Sequence, residues 1–416
     1  MLKTLRERNF ALLWTGGIIS GFGDWLLLVA LPIFVYNLSG SSLATGAMFI
    51  IQILPRVLLA PVAGVFVDRW DRKRVMVISD IIRGVVLLSL LFVQSTDLLW
   101  IVYLVALVMS SVAQFFGPAD SALVPSLVEK ENLIAANSLT SLAANLTRLA
   151  GPALGGLLME WIGFNAVIVL DSISFFFSAL LIGLITKRAT AQAQPAEDEP
   201  AATSQLAGIW QEFWDGLQVV RRDPMLVAIF LVVGLAMPAE GIMQVLLVIF
   251  VENILGGSAQ HFGLMYSADG IGSLLGSFGI VWAQRTLPPN RLVGVSAILL
   301  GLIMVAQFNI LSLNVFLILS ILVGIVQVGV FVSMTTLVQM RVPEQYLGRV
   351  FASFVTVVSL STLAGLLFAS FLGDALSTQS VLNIAAGITI AAGALALVLL
   401  RNAARREALS VETEAA

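Results

Sequence analysis

The chain has 416 residues, 59% hydrophobic and only 11% charged, with a net charge of −3 and a mean hydropathy of +0.99. Soluble domains carry about 25% charged residues, so this chain cannot cover a globular surface, and its solvent is lipid. With no Cys and a single His, His261, disulfides, thiol catalysis, Cys/His zinc sites and histidine triads are excluded, and there is no G-x-x-x-x-G-K-[ST] loop for ATP.

About 20 apolar residues cross a bilayer as a helix, and the apolar runs predict twelve spans. The first, 10–36, follows Lys3, Arg6 and Arg8; it is too long for a signal-peptide core and is expected to be retained, with Asp24 about halfway along. The second, 43–67, carries Arg56 beside Pro55 and runs into a basic loop. Spans three and four, 76–94 and 98–119, place Arg83 in the former and Asp120 at the end of the latter. The fifth, 138–159, contains Arg148, and the sixth, 163–185, contains Asp171.

A polar stretch follows, with an Ala/Gln/Pro/Glu-rich run at 189–204 that reads as a linker. After it Trp210, Phe213, Trp214, Leu217 and Val220 recur at helical spacing, which predicts an amphipathic helix on the membrane surface. Spans at 225–251, with Glu240, and 260–283, with His261 at its start and Asp269 within, open the second half. The last four lie at 292–309, 313–338, 349–372 and 379–400. The expected organisation is a bundle at 1–186, a linker at 187–224, a second bundle at 225–401 and a tail at 402–416.

Basic residues orient the chain. With a cytoplasmic N-terminus, 19 of the 22 Lys and Arg fall on the inner side. The other three, Arg56, Arg83 and Arg148, lie inside spans. The positive-inside rule thus predicts both termini in the cytoplasm.

The two halves echo each other. Ile33-Phe34-Val35-Tyr36-Asn37 matches Ile249-Phe250-Val251-Glu252-Asn253 at an offset of 216, which also sets Asp24 on Glu240. Gly46 and Met48 fall on Gly263 and Met265, Gly64 falls on Gly279, and the loop Val128–Leu133 falls on Val342–Leu347. A parallel six-plus-six repeat about a central loop is a transporter layout.

Two motifs carry a family resemblance. Gly64-Val65-Phe66-Val67-Asp68-Arg69-Trp70-Asp71-Arg72-Lys73-Arg74 resembles the helix 2–3 loop of the major facilitator superfamily, with Asp71 where the family has glycine. Arg148-Leu149-Ala150-Gly151-Pro152-Ala153-Leu154-Gly155-Gly156 resembles the antiporter signature of its drug–proton exporters, with Thr147 in place of an earlier glycine. The arginine signature on helix 4 of many drug antiporters is missing. Further strings, Gly23-Asp24-Trp25, Leu54-Pro55-Arg56, Pro125-Ser126-Leu127-Val128 and Leu347-Gly348-Arg349-Val350, resemble the enterobactin exporter and macrolide efflux branch.

The resemblance implies an all-α integral membrane fold of two six-helix bundles related by a pseudo-two-fold axis. It also implies export of small amphipathic compounds by proton antiport, with a siderophore or lysolipid transporter, proton-coupled or not, as the alternative. It makes the first loop a conformational latch of Gly64, Asp68, Arg69 and Arg72. Asp68 suits a helix N-terminus, where the macrodipole favours an anion, helix 11 being the partner, and Asp120 can pair with Arg69 or Arg72.

Charges within spans cost about 2.5–3.5 kcal/mol at the bilayer centre on insertion scales and mark function by default. Asp24 and Glu240 are the first candidates for proton coupling or substrate contact, with Arg148 as counter-charge or substrate anchor; Asp269, Asp171, Arg56 and Arg83 follow. A structural ion pair is the alternative for each acid. Gly151, Pro152, Gly155 and Gly156 give close helix approach and a kink. Trp14, Phe22, Trp25, Phe115 and Phe116 are candidates for an apolar pocket. With no clustered His, Cys or paired catalytic acids, an enzyme is not expected. The expected partners are a small-molecule substrate, protons and membrane lipid, with no cofactor, metal or nucleic acid, and the protein is expected to be a monomer.

Overall fold

A computed structural model describes residues 4–186, 214 and 216–415, without the side chains of 60–62, 64, 65, 68 and 406–415. The linker at 189–204 and most of the expected amphipathic helix lie outside the described residues; 216–222 are helical. The described chain is helical almost throughout. α1 is Arg8–Ser39, α2 Ser42–Arg69, α3 Arg72–Leu88 and α4 Leu99–Leu127. The helix Leu133–Gly183 breaks at Gly163 (φ 80°, ψ 168°) into α5 (133–162) and α6 (164–183). α7 is Pro224–Ile249, α8 Ala259–Ala283, α9 Pro289–Asn309, α10 Leu313–Arg341, α11 Leu347–Leu372 and α12 Thr378–Ala415.

Among the described residues, eleven continuous helices are long and apolar enough to cross a membrane. The one through Gly163 is long enough for two crossings, since 51 residues at about 1.5 Å each exceed twice the ~30 Å hydrocarbon thickness. The fold is all-α and integral to a membrane, as expected. The chain's surface agrees: Phe92 and Phe278 are 71% and 79% exposed, tolerable only where lipid covers them.

Local signals set the helix ends. Gly40 takes the left-handed conformation (φ 63°) and donates its N–H to the Tyr36 carbonyl, closing α1. Ser41 then accepts from the Leu43 and Ala44 N–H groups and starts α2. Asp71 accepts from the Arg74 N–H at 3.1 Å and caps α3, so the residue that departs from the family glycine starts a helix. Asp223 caps α7 through the Met225 N–H at 2.7 Å, with Pro224 in the first turn. α4 runs on past the expected end at 119 through Pro118 and Pro125, and α12 continues beyond 400.

The chain packs as two compact units, Met1–Glu199 with Gly257–Ser267, and Pro200–Gly256 with Ala268–Ala416. In the first, α1 packs on α5 and α6, α2 on α4, and α3 on α4 and α6. The second repeats this order: α7 packs on α11 and α12, α10 on α8 and α9, and α9 on α12. Close approaches at glycine follow the same pattern. Gly155 lets α5 reach the Leu26 backbone of α1, and Gly365 lets α11 reach the Pro238 backbone of α7.

Two apolar layers fill the first unit. One holds Phe10, Met76, Leu123, Leu139 and Ile182, the other Leu31, Val35, Leu87, Val102 and Phe175. Between them on α1, α3 and α6 lies a polar band.

Candidate functional site

The polar band is built from α3 upward. The buried side of α3 is Met76, Ser79, Asp80, Arg83, Gly84 and Leu87, while Ile78, Ile81, Ile82 and Val85 are exposed. In water the charges would face out; here they face the protein and the isoleucines face lipid. Asp80 and Arg83, three residues apart, share that inner face.

α6 lies against it. Ser172 Oγ donates to the Gly84 carbonyl at 2.6 Å, and the Phe176 ring occupies the space a Gly84 side chain would need. Asp171 is fully buried, and its carboxylate touches α1 at Gly23, where no Cβ fits. Ser174 Oγ donates to Asp171 Oδ1 at 3.3 Å. Ser178 packs on Gly16 of α1 and faces Asp80 without reaching bonding geometry. The Arg83 guanidinium lies 5.0 Å from the centre of the Phe116 ring of α4 and 5.4 Å from that of Phe175 of α6. Cation–π attraction of about 2 kcal/mol applies to such desolvated cations. Its charge acts on Asp24, Asp80 and Asp171.

Asp24 follows Gly23 on α1 and is exposed, as are Arg56 on α2 and Arg148 on α5. Asp171 and Arg83 thus belong to one buried cluster, and Asp24, next in sequence to the Gly23 that Asp171 touches, stands at its edge. The structure leaves Arg56 and Arg148 without an ion pair among the described residues. In the second unit Glu240 is half-buried on α7, with Gln244 Nε2 donating to it at 3.5 Å. Asp269 is half-buried on α8 and its backbone carbonyl meets Gly324 of α10.

The side chains of Gly64 and Asp68 lie outside the described residues. Around them, Arg69 is exposed and Asp120 half-buried. Arg72 donates to the Ala122 carbonyl at 3.1 Å, and Lys73 to the Ile185 carbonyl at 2.6 Å. Both cations thus meet carbonyls near helix C-termini, where the macrodipole favours them. The basic loop after α2 ties down the ends of α4 and α6.

The helix 5 motif is a packing surface. A Cβ on Gly151 would stand 2.5 Å from Trp25 Cβ, and one on Gly155 would stand 2.9 Å from Leu26 Cα. Gly156 meets the backbone of Ala259 and Gln260 at the start of α8, and Gly263 meets the Pro152 carbonyl. Beside this contact the Glu160 carboxylate accepts from Ser258 Oγ and the Gln260 N–H, and His261 Nδ1 accepts from the Ser258 N–H. His261 is therefore a capping partner at the start of α8.

Asp80, Glu160 and Ser258 escape the sequence reading. Asp80 lies within the third expected span, 76–94, but only six residues after the Arg72-Lys73-Arg74 run, so it does not stand out as a lone charge in an apolar stretch. The available signal was its three-residue spacing from Arg83.

Residues 1–414 match the family of transmembrane secretion effectors, major facilitator transporters, and the chain belongs to that family. Among its relatives, macrolide efflux protein A of Streptococcus pyogenes is 25% identical over 376 residues, 88% of this chain and 89% of that protein. The multidrug efflux pump Tap of Mycolicibacterium fortuitum is 26% identical over 377 residues, 86% and 87% of the two chains. The solved nucleoside transporter NupG superposes with a TM-score of 0.76 at 14% identity, covering 94% of this chain and 99% of its own. The fold is thus that of the major facilitators. The protein is a multi-pass membrane transporter and not an enzyme.

Proposed function

We propose that this transporter exports small amphipathic compounds from the cytoplasm by proton antiport, as a monomer in the bacterial plasma membrane. The reading rests on one observation: Asp24 stands exposed at the middle of an apolar 32-residue helix, beside a buried Arg83 cluster. A carboxylate at that depth is costly against lipid and persists where it meets water, a substrate or a counter-charge. The names of two relatives, one for macrolide efflux and one for multidrug efflux, support export and an amphipathic substrate. The distribution of Lys and Arg supports both termini in the cytoplasm.

In this reading Asp24 of the first half and Glu240 of the second alternate between proton and substrate as the protein exposes its site to each side. One charge crossing 100 mV supplies about 2.3 kcal/mol, roughly fifty-fold accumulation. Arg148 and Arg56, exposed on α5 and α2, serve as counter-charges to the substrate, and Asp269 as a second acid in the C-terminal half. The loop from Gly64 to Arg74 is the latch, with Asp68 and Asp120 as its acids and Arg69 and Arg72 as its bases.

The test is transport of a macrolide and of a lipophilic cationic dye in proteoliposomes, with the pH gradient intact or collapsed by an ionophore. Gradient-driven uphill transport is expected. A rate indifferent to the gradient removes proton antiport.

A further inference from the structure

Asp80 has no part in the mechanism above, and its surroundings give it one. Asp80 and Asp171 are both fully buried, and Arg83 is the only buried guanidinium among the described residues. One guanidinium offsets one carboxylate. The second carboxylate, if ionised, is an uncompensated charge sealed between two apolar layers, and such a charge neutralises itself by taking a proton.

Hydrogen bonding does not remove the imbalance. Neither oxygen of Asp80 has a hydrogen-bond partner among the described residues, and neither do Arg83 Nε, Asp171 Oδ2 or Ser178 Oγ. Asp171 receives only the long bond from Ser174. Arg83 is held by the faces of two rings rather than by a fixed fork of hydrogen bonds, so its charge serves either acid. The groups that act on Asp80 are Arg83 on α3, Asp24 on α1, Asp120 on α4 and Ser178 on α6. Those that act on Asp171 are Asp24, Arg83 and Ser174.

We propose that Asp80 and Asp171 hold one exchangeable proton between them, with Arg83 as shared counter-ion and Asp24 as the outlet to water. Asp80 is then a second proton-carrying residue of the N-terminal half. The step is a plain acid–base transfer. The O–H bond of the protonated buried carboxyl breaks, the proton joins the Asp24 carboxylate, and Asp24 passes it to water. Asp80 and Asp171 then share Arg83 as their one counter-charge, and the net negative charge left on the cluster draws a proton back by the same route. The contact of Asp171 with the backbone of Gly23, next to Asp24, supplies the route. The inference deepens the antiport reading and rests on it for its role in transport, but the proton site itself is tested separately.

That test is infrared difference spectroscopy of the full chain in lipid vesicles as the pH is raised from acidic to alkaline. The wild type should lose a protonated-carboxyl C=O band that shifts in heavy water. Asp80→Asn and Asp171→Asn should each remove the same band, since either leaves one acid for one guanidinium. A band of unchanged amplitude in both variants overturns the proposal. Thermal stability gives a second reading: each single variant should melt with the wild type, and the double variant should melt lower because Arg83 loses both acids. A double variant as stable as the wild type also overturns it. In proteoliposomes Asp80→Asn should keep downhill transport while uphill accumulation falls from tens-fold towards one, and Asp80→Glu should restore part of it. If the band behaves as expected but wild-type transport ignores the gradient, the proton site stands and the antiport reading falls.

Discussion

Replacing Gly155 by alanine tests whether the helix 5 motif works by bringing backbones together. The added Cβ would stand 2.9 Å from Leu26 Cα and 3.2 Å from the Leu26 carbonyl oxygen. Carbon atoms rest at about 3.5–4.0 Å, so α1 and α5 must part by roughly 0.6–1.1 Å at that level. Neither atom is a side-chain tip able to swing aside. A gap of 0.5–1 Å forfeits about a quarter to a half of each contact's attraction, and overpacking of this kind costs about 1–3 kcal/mol. Gly17, on the same helix α1, is the control, because a Cβ there meets nothing within 4 Å. Gly17→Ala should be neutral or stabilise by up to about 1 kcal/mol through lower backbone entropy in the unfolded chain. The assay is thermal unfolding of purified protein in detergent, followed by tryptophan fluorescence. At about 2–4 °C per kcal/mol for a domain of this size, Gly155→Ala should melt several degrees below Gly17→Ala. Equal melting temperatures would refute the close-packing account of the motif.

Four further outcomes are expected. Asp24→Asn should abolish gradient-driven efflux and leave folding intact, measured by uphill transport and by melting; retained uphill transport takes Asp24 out of the mechanism. Asp71→Ala should lower stability by about 1 kcal/mol and Asp71→Gly by only a few tenths, and equal losses would mean that its bond to the Arg74 N–H is not the stabilising contact. Ser172→Ala removes the hydroxyl that donates to the Gly84 carbonyl, which still lies inside α3, and should cost about 0.5–1.5 kcal/mol; a melting curve matching the wild type would contradict that. Glu160→Gln removes the charge that accepts from Ser258 and Gln260 at the start of α8. It should destabilise by about 0.3–1 kcal/mol, and added salt should shrink the difference.

Much of this fold was legible before any coordinates. The spans, the repeat of α1–α6 in α7–α12 and the two motifs follow from apolar run length and residue spacing. The inward face of each helix was harder to read, because lipid and helix interiors are equally apolar. α3 illustrates the difficulty: its isoleucines are exposed and its aspartate and arginine buried, the reverse of a soluble amphipath. Asp24 and Asp171 stood out as lone acids in long apolar runs, while Asp80 was hidden by its closeness to a basic loop. Arg148 invited pairing by its depth in α5, yet pairing depends on which way a helix is turned. That rotation is set by side-chain volume, and the glycines that govern it here, Gly16, Gly23, Gly151 and Gly155, look alike in a sequence. The break between α5 and α6 was read to within a few residues, between the spans ending at 159 and starting at 163, although nothing local marks Gly163 as the left-handed residue that makes it.

The inverted face of α3 also bears on how the protein is made. Asp80 and Arg83 emerge from the ribosome together, so each carries its own counter-charge while α3 leaves the translocon. Asp171 follows about ninety residues later, roughly 5–20 s at ordinary rates of synthesis. It reaches a bundle whose guanidinium is already engaged, and enters it most cheaply as a neutral acid. The buried proton would then be loaded at birth, as α6 inserts, before the transporter has met its first substrate.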